Sequence, residues 1–115
     1  NQLVIPVQCE YFALEGLAKL TNTVNLVKDR LNPELNILGI VLTMFDKRTS
    51  LNRQVVNDAK KYFNQLIFDT IIPRNIRLAE SPSFGLPIAL YDPKSSGSVA
   101  YYYLAKEVIH RVNSN

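Results

Sequence analysis

Hydrophobic and polar positions alternate along the chain in blocks that predict buried strands and amphipathic helices. Residues 37–43 form an almost unbroken apolar run, which predicts a central parallel strand, since a strand with one wet face would alternate. A shorter apolar run, Leu3–Val7, predicts a second strand that ends near Pro6. Polarity returns at Thr43 and Asp46, where an open α/β sheet collects its ligands.

Between these two runs, apolar residues recur at the spacing of one helical face. The pattern predicts a first helix that Asn32-Pro33 terminates, and its inner face comprises Leu17, Leu20, Val24, Val27 and Leu31. A second helix is expected after a basic connection, with Ser50 as its N-cap. Its inner face is predicted to hold Val55, Val56, Ala59, Tyr62 and Phe63.

The remainder of the chain predicts a third strand over residues 67–72, which Pro73 ends. Residues 74–97 show no strong period and are expected to be irregular, and such a long segment in a compact domain is usually functional or flexible. A final helix is predicted at about residues 98–112. Its buried positions are expected to be Tyr101, Leu104, Ala105, Val108 and Val112.

Repeated strand–helix units indicate an α/β, three-layer architecture in which helices flank a mainly parallel sheet, and residues 1–115 form a single domain. Three strands make a thin sheet with two unpaired edges, which intact proteins avoid. Because the first strand begins only two residues into the chain, we expect further strands in a longer protein. Alone, the piece is expected to pair with another copy or to bury an edge by rearrangement.

Composition and charge narrow the function without deciding it. The chain is 47% hydrophobic and 20% charged, typical of a globular protein, and its single cysteine, Cys9, excludes an internal disulfide framework. No apolar segment approaches the ~20 residues that span a bilayer. Seven basic and three acidic residues lie between positions 46 and 77, although the net charge is only +3. This local excess predicts a partner-facing patch, although a solvated helix face would look the same.

Four ordered segments carry a family resemblance: VIPVQCEYFALEGL, ILGIVLTMFDKRT, IIPRNIRLAESPSFGLPI and LYDPKSSGSVAYYYLAKEV. Together they resemble the carboxyl-terminal half of ParA/Soj-type chromosome or plasmid partitioning ATPases, a family with a deviant Walker A loop. The resemblance covers nearly all of residues 3–111. It implies a C-terminal part of a ParA-like ATPase domain, in which ATP drives dimerisation and DNA binding.

The family's phosphate-binding parts have no counterpart in this sequence. Phosphates are cradled by a glycine-rich turn before a helix, whereas the four glycines here are far apart. The resemblance therefore implies a partial P-loop NTPase fold that lacks its N-terminal strands, its P-loop and its Walker B aspartate. ATP and Mg²⁺ are expected in the full-length protein and neither on this fragment, which should be inactive alone and supplies no catalytic residue.

The resemblance assigns a nucleotide-base site to the strand tips. Pro73 and Asn75 fall at the family's adenine-contacting turn, and Thr43 and Met44 resemble the opposite wall. Pro73 could equally end a strand, and Thr43 could merely satisfy a backbone group. Glu10 resembles a residue that reaches the partner's nucleotide across a dimer, and a carboxylate there would also stabilise the helix dipole.

DNA binding is implied by two arginines. Arg48 and Arg77 match positions where Soj-type proteins carry DNA-binding arginines, and further candidates are Lys47, Arg74 and Lys94. Contacts of this kind neutralise phosphates and read no sequence. The implied partners are non-specific double-stranded DNA, a ParB-like protein and a second copy in a homodimer. The implied location is the bacterial cytoplasm at the nucleoid, with no membrane.

Two other functions remain open from the sequence. The chain could be a fragment of a related ATP-dependent metabolic enzyme, such as a synthetase that activates carboxylates, or a stand-alone, non-enzymatic α/β interaction module. His110 has no histidine or cysteine partner nearby in the sequence, so no metal site is predicted.

Overall fold

A computed structural model describes residues 2–114, apart from the side chain of Ile76. Two strands, β1 (Gln2–Gln8) and β2 (Asn36–Thr43), pair in parallel from Gln2 opposite Asn36 to Gln8 opposite Thr43. One irregularity interrupts their register, between Leu3 and Val4. The helix α1 (Ala13–Arg30) connects them. Both strands and the first helix are therefore confirmed.

The core lies on both faces of β2. Ile40 and Leu42 face a layer formed by α1 and α2 (Ser50–Phe63), and Val41 faces the last helix, α5 (Ser96–Ser114). All three of these strand residues are at most 3% exposed. Alternating side chains of one strand are thus buried in opposite directions, which explains the unbroken apolar run and confirms the three-layer architecture.

The inner faces of α1 and α2 were predicted only in part. Leu17 and Val24 are buried, but Leu20 and Leu31 are largely exposed, as is Tyr62 on α2. Leu20 opens onto a shallow groove along β1, one of the two strands of the described sheet. The remaining residues behave as predicted or nearly so: Val55, Val56 and Ala59 are buried, and Val27 and Phe63 are half-buried.

The second helix begins at Ser50, which was predicted to be its N-cap, and the observed N-cap is the preceding residue, Thr49. Thr49 has extended backbone angles, and its hydroxyl oxygen accepts the N–H of Asn52 at 3.2 Å. Ser50 is already inside the helix. The prediction of Ser50 as the cap is therefore wrong by one residue, because threonine and serine both have the hydroxyl that a cap requires.

The predicted third strand, residues 67–72, is wrong as a strand although its direction is right. The segment runs parallel to β2 and touches it through a bridge between Ile40 and Ile67. The N–H of Phe68 donates to Ile40, but the next such bond is from Ile72 to Leu42. The segment therefore advances four residues, from Phe68 to Ile72, where β2 advances two, from Ile40 to Leu42. Two extra residues bulge out and break the ladder.

The carboxyl-terminal region also departs from the prediction. Residues 74–97 contain two short helices, α3 (Ile76–Glu80) and α4 (Ile88–Tyr91), and a 3₁₀ turn at Ser81–Phe84. The helix α5 is slightly longer than predicted, and its buried face is different. Tyr101, Ala105 and Val112 are exposed. The face that packs on β2 and on residues 67–72 instead carries Ala100, Leu104, Glu107, Val108 and Arg111.

Gly39 in β2 provides room for that packing. A Cβ at this position would lie 2.7 Å from Cζ of Phe68 and 2.5 Å from Nη1 of Arg111. Both groups are held between β2 and α5, so neither can easily move away. The glycine is needed for close approach rather than for an unusual backbone angle.

We predict that Gly39→Ala lowers the free energy of unfolding by about 1–3 kcal/mol, because an added methyl group overpacks this contact. The control is Gly16→Ala on α1, where an added Cβ meets nothing within 4 Å. That change should stabilise the helix by about 0.5–1 kcal/mol. Urea unfolding of the two variants measures both effects, and equal midpoints would contradict the packing assignment.

Candidate functional site

The tip of β2 is tied to the segment that follows the bulge. The N–H of Phe45 donates to the carbonyl of Ile72 at 3.1 Å, and the N–H of Arg74 donates to the carbonyl of Phe45 at 2.8 Å. Pro73 lies directly opposite Phe45. These bonds bring the turn with Pro73 against the end of β2, the strand tip that also carries Thr43 and Met44.

Met44 adopts a left-handed backbone conformation, with φ at 56°. Only a few per cent of non-glycine residues do so, at a cost of about 1–2 kcal/mol. The turn at Met44 directs the next residue, Phe45, toward the 72–74 segment, and the resulting hydrogen bonds offset the cost. Met44 remains 38% exposed at the strand tip, where it could contact a ligand.

Asn52, which the sequence reading did not single out, connects three parts of this region. It is nearly buried, and its Oδ1 accepts the N–H of Asp46 at 2.7 Å while its Nδ2 donates to the carbonyl of Cys9 at 3.1 Å. The N–H of Cys9 in turn donates to the carbonyl of Thr43 at 2.9 Å. Only a side chain with both a donor and an acceptor can make this bridge.

Asp46 holds Arg48 by a bidentate ion pair. Nε and Nη2 of Arg48 lie 3.0 and 2.9 Å from the two carboxylate oxygens, and the N–H of Arg48 donates to Oδ1 at 3.0 Å. The side-chain and backbone hydrogen bonds from Arg48 lower the pKa of Asp46 to about 2. The arginine side chain is still 83% exposed, so it is oriented without being covered.

A cavity of about 400 Å³ lies between the loop after β2 and the turn after the bulge. Its lining combines two apolar rings with three cations, one carboxylate and one hydroxyl: Phe45, Pro73, Lys47, Arg48, Arg74, Asp46 and Ser96. The formal charge of this lining is therefore positive. An anionic ligand with a flat apolar part would fit such a surface.

Asn75 borders this cavity through Ser96. Its Oδ1 caps α3 by accepting the N–H of Arg77 at 2.8 Å, and its Nδ2 donates to the hydroxyl of Ser96 at 2.6 Å. A side-chain amide has two donor hydrogens and two acceptor lone pairs. One of each is left for a ligand, so the residue fits a base contact.

Arg77 lies outside the cavity in a group of acidic partners. Its guanidinium is 3.4 Å from the carboxylates of both Glu80 and Asp92. The hydroxyl of Tyr91 donates to Glu80 at 2.6 Å, and this bond is the main cause of the raised pKa of Tyr91. Two carboxylates against one guanidinium leave this group formally negative, unlike the lining around Arg48.

Glu10 and Lys94 are also outside the lining of the cavity. Glu10 follows β1 and borders a separate shallow groove with Pro6 and Phe12, and Lys94 lies exposed in the turn before α5. Within residues 2–114, no group of histidine, cysteine, aspartate and glutamate residues could hold a metal ion. No helix in the described range is long and apolar enough to cross a membrane.

Cys9 is buried beneath the site. It is 6% exposed, and burial raises the pKa of its thiol to about 11. A thiol that stays protonated at neutral pH is a poor nucleophile. Cys9 therefore acts as a small core residue and contributes its backbone groups to the strand tip.

The chain is similar in sequence to known proteins over most of its length. A family model described as an AAA domain matches residues 1–37. The chain is 57% identical over 108 residues to the sporulation initiation inhibitor protein Soj of Bacillus subtilis, covering 94% of this chain and 43% of that protein. It is 52% identical to the chromosome partitioning protein ParA of Myxococcus xanthus, with 96% and 39% covered. The chain thus spans about two fifths of the length of these relatives.

The fold also matches solved structures. Cobyrinic acid a,c-diamide synthase from Mycobacterium smegmatis, with bound ATP analog and magnesium, gives a TM-score of 0.72 at 26% identity. The match covers 98% of this chain and 39% of the synthase. The synthase with bound ADP and magnesium gives 0.71. The predicted P-loop NTPase-type architecture is therefore confirmed.

We predict that Arg48→Ala raises the pKa of Asp46 from about 2 toward 3.8, the usual value for aspartate. The rise should be incomplete, because the N–H of residue 48 remains. Lys47→Ala, which removes a neighbouring cation that makes no such bond, should leave the value unchanged. An NMR titration of the Asp46 carboxyl carbon measures this pKa in the wild type and in both variants. The same pKa in the wild type and in Arg48→Ala would refute the pairing.

The sign of the pH dependence follows from this shift. Because the folded-state pKa is lowered, the ion pair favours the folded state above about pH 3.8. That contribution is lost as the pH falls toward about 2.

Proposed function

The chain is a relative of the ParA and Soj chromosome-partitioning ATPases along nearly its whole length, and on this premise we propose that it is the carboxyl-terminal part of a DNA-partitioning ATPase. Its contributions would be a base-contacting turn, a dimer surface and a patch that binds DNA without sequence preference. The observation that carries the proposal is the positively charged cavity at the strand tips, which lies between Pro73 and Arg48.

The nucleotide part of the proposal assigns the base to Thr43, Met44, Pro73 and Asn75. Pro73 and Phe45 offer apolar surface, and Asn75 keeps one free donor and one free acceptor. ATP binds with Mg²⁺ in the full-length protein, and the phosphates are held by residues outside this chain. The separated glycines cannot form a phosphate-binding turn, so we expect the 115-residue chain alone to show no hydrolysis.

The basic residues differ in the acidic groups around them, and therefore in how strongly they should attract DNA phosphates. Arg48 shares its loop with Lys47 and faces Arg74 across the cavity, and one carboxylate opposes these three. Arg77 is opposed by two carboxylates. Phosphates should therefore be attracted more strongly to Arg48 than to Arg77, and Lys94 is left as a peripheral contact. In the cell this binding would place the protein on the nucleoid of a bacterial cytoplasm, where a ParB-like protein would regulate it.

A metabolic function is the second candidate, and one observation favours it. The synthase from M. smegmatis shares the fold over 98% of this chain. Its identity of 26% is about half that of the partitioning proteins, so the metabolic function is the weaker candidate. Glu10, proposed to reach a partner's nucleotide in a dimer, is consistent with either function.

We predict that Arg48→Glu in the full-length protein with ATP weakens binding to random duplex DNA by roughly tenfold or more, and that it makes the salt dependence shallower by about one ion per lost contact. Arg77→Glu should have a smaller effect, because Glu80 and Asp92 already neutralise this position. Fluorescence anisotropy at several salt concentrations measures both.

The matched control is Lys19→Glu on α1, which makes the same change of charge on an exposed residue away from the cavity. If all three variants weaken binding equally, the effect is one of net charge. The basic residues would then be a solvated face, and the assignment of the patch would be wrong.

We also predict that Asn75→Asp lowers the affinity for ATP by roughly tenfold, about the value of one lost hydrogen bond. The aspartate keeps the cap on α3 but has no donor for an adenine ring nitrogen. It can accept from the N–H groups of guanine, so the ratio of ATP to GTP affinity should fall further. Isothermal titration measures both affinities, and an unchanged ratio would exclude Asn75 from the base site.

A further inference from the structure

The bulge in residues 67–72 is held by a carboxylate of the last helix. Oε2 of Glu107 accepts the N–H of Asp69 at 2.7 Å, and Oε1 accepts the N–H of Thr70 at 2.9 Å. In a regular parallel strand, the N–H of Thr70 would instead donate to β2. Glu107 therefore supplies hydrogen-bond acceptors for the backbone N–H groups in the bulge.

Arg111, one turn further along α5, holds the start of the same segment. Its Nη1 donates to the carbonyls of Leu38 and Leu66, both at 3.1 Å, and its Nη2 donates to the carbonyl of Ile67 at 2.9 Å. The guanidinium also lies over the ring of Phe68, 4.0 Å from its centroid. These contacts join β2, the segment and α5 at one point, in the space that Gly39 leaves.

Burial by itself would raise the pKa of Glu107, but the hydrogen bonds from Thr70 and Asp69 and the nearby Arg111 outweigh it, so the pKa is lowered. The carboxylate is therefore charged at neutral pH, when it accepts most strongly. Charge-assisted bonds to backbone N–H groups are stronger than those between neutral partners. The two residues thus form a clamp on the segment, with Arg111 at its start and Glu107 at its middle.

The bulge decides where the base-contacting turn lies. With two extra residues in the segment, Ile72 donates to Leu42 and Pro73 lies opposite Phe45. In a regular ladder from Phe68 onward, Thr70 would occupy the present place of Ile72. Pro73 would then extend past the strand tip by two residues, roughly 6–7 Å. Removing the bulge would carry Pro73 out of the cavity and move Asn75 away from its border.

From this geometry we propose that Glu107 and Arg111 are positioning residues for the nucleotide base. They hold the two-residue bulge that places Pro73 against the tip of β2, and with it the turn that leads to Asn75. This inference rests on the function proposed above. Neither side chain touches the cavity. The bond from Asn75 to Ser96 also fastens the turn to the beginning of α5, so the same helix holds both the bulged segment and the turn that follows it.

The test uses Glu107→Ala and Glu107→Gln in the full-length protein, with Lys106→Ala as the control. Lys106 is the neighbouring exposed residue on α5, and it contacts Tyr102 rather than the segment. Titrations with ATP and with GTP report the base contact and the remainder of the site separately. Hydrogen exchange at residues 69–75 reports the clamp itself.

We expect Glu107→Ala to weaken ATP binding about tenfold and GTP binding little, so that the ratio of the two affinities falls. Glu107→Gln keeps one good acceptor and should recover part of that ratio, while Lys106→Ala keeps all of it. Exchange at Asp69 and Thr70 should be at least tenfold faster in Glu107→Ala. If that variant does not fold, Glu107→Gln alone decides, with an intermediate ratio expected.

Two results would overturn the inference. One is an equal loss of ATP and GTP affinity, which would mean that Glu107 only stabilises the fold. The other is an unchanged ratio together with unchanged exchange. If Asn75→Asp also leaves the ratio unaltered while exchange rises in Glu107→Ala, the clamp is real and the proposed base site is wrong, so the two failures can be told apart.

Discussion

The pair of backbone hydrogen bonds at Phe45 organises this molecule. Through them the end of β2 and the segment at residues 72–74 are fixed side by side, and everything proposed for the strand tips depends on that adjacency. The loop with Asp46 and Arg48 continues from one side of the junction, and the turn with Asn75 continues from the other. Two stretches about thirty residues apart in sequence thereby line one cavity.

The junction is kept in place by polar contacts that differ on its two sides. On the α1–α2 side, Asn52 links the loop to the end of β1 with a single amide group. On the α5 side, Glu107 and Arg111 hold a bulge with a charged pair. Buried polar groups that are fully paired specify one arrangement better than apolar packing does. The site is therefore supported from both layers.

The parts of the fold that could be predicted are those that depend on nearby residues. The strand β2 follows from its continuous apolar run, and the end of α1 follows from Asn32-Pro33, because both signals are local. The bulge could not be predicted, since its acceptor, Glu107, lies 38 residues beyond Asp69. The same residue explains the error on α5: its buried face carries Glu107 and Arg111, so a search for apolar periodicity assigned Tyr101 and Val112 to the core instead.

The site was predictable to a similar extent. The family resemblance pointed to Pro73 and Arg48, and the structure brings both to one cavity. The resemblance could not reveal that Arg77 lies beside Glu80 and Asp92, because these carboxylates contact Arg77 only in the folded chain. Asn52 was overlooked because an asparagine on a helix gives no signal of the two loops that it joins.

Photolabelling can show whether a nucleotide base binds at the tips of these strands. The full-length protein would be irradiated with 8-azidoadenosine triphosphate and Mg²⁺, and the modified peptides identified by mass spectrometry. We expect label within residues 43–46 or 73–75, and excess ATP should suppress it. Label that ATP suppresses equally well but that lies only elsewhere, for instance near His110 at the opposite end of β2, would contradict this expectation.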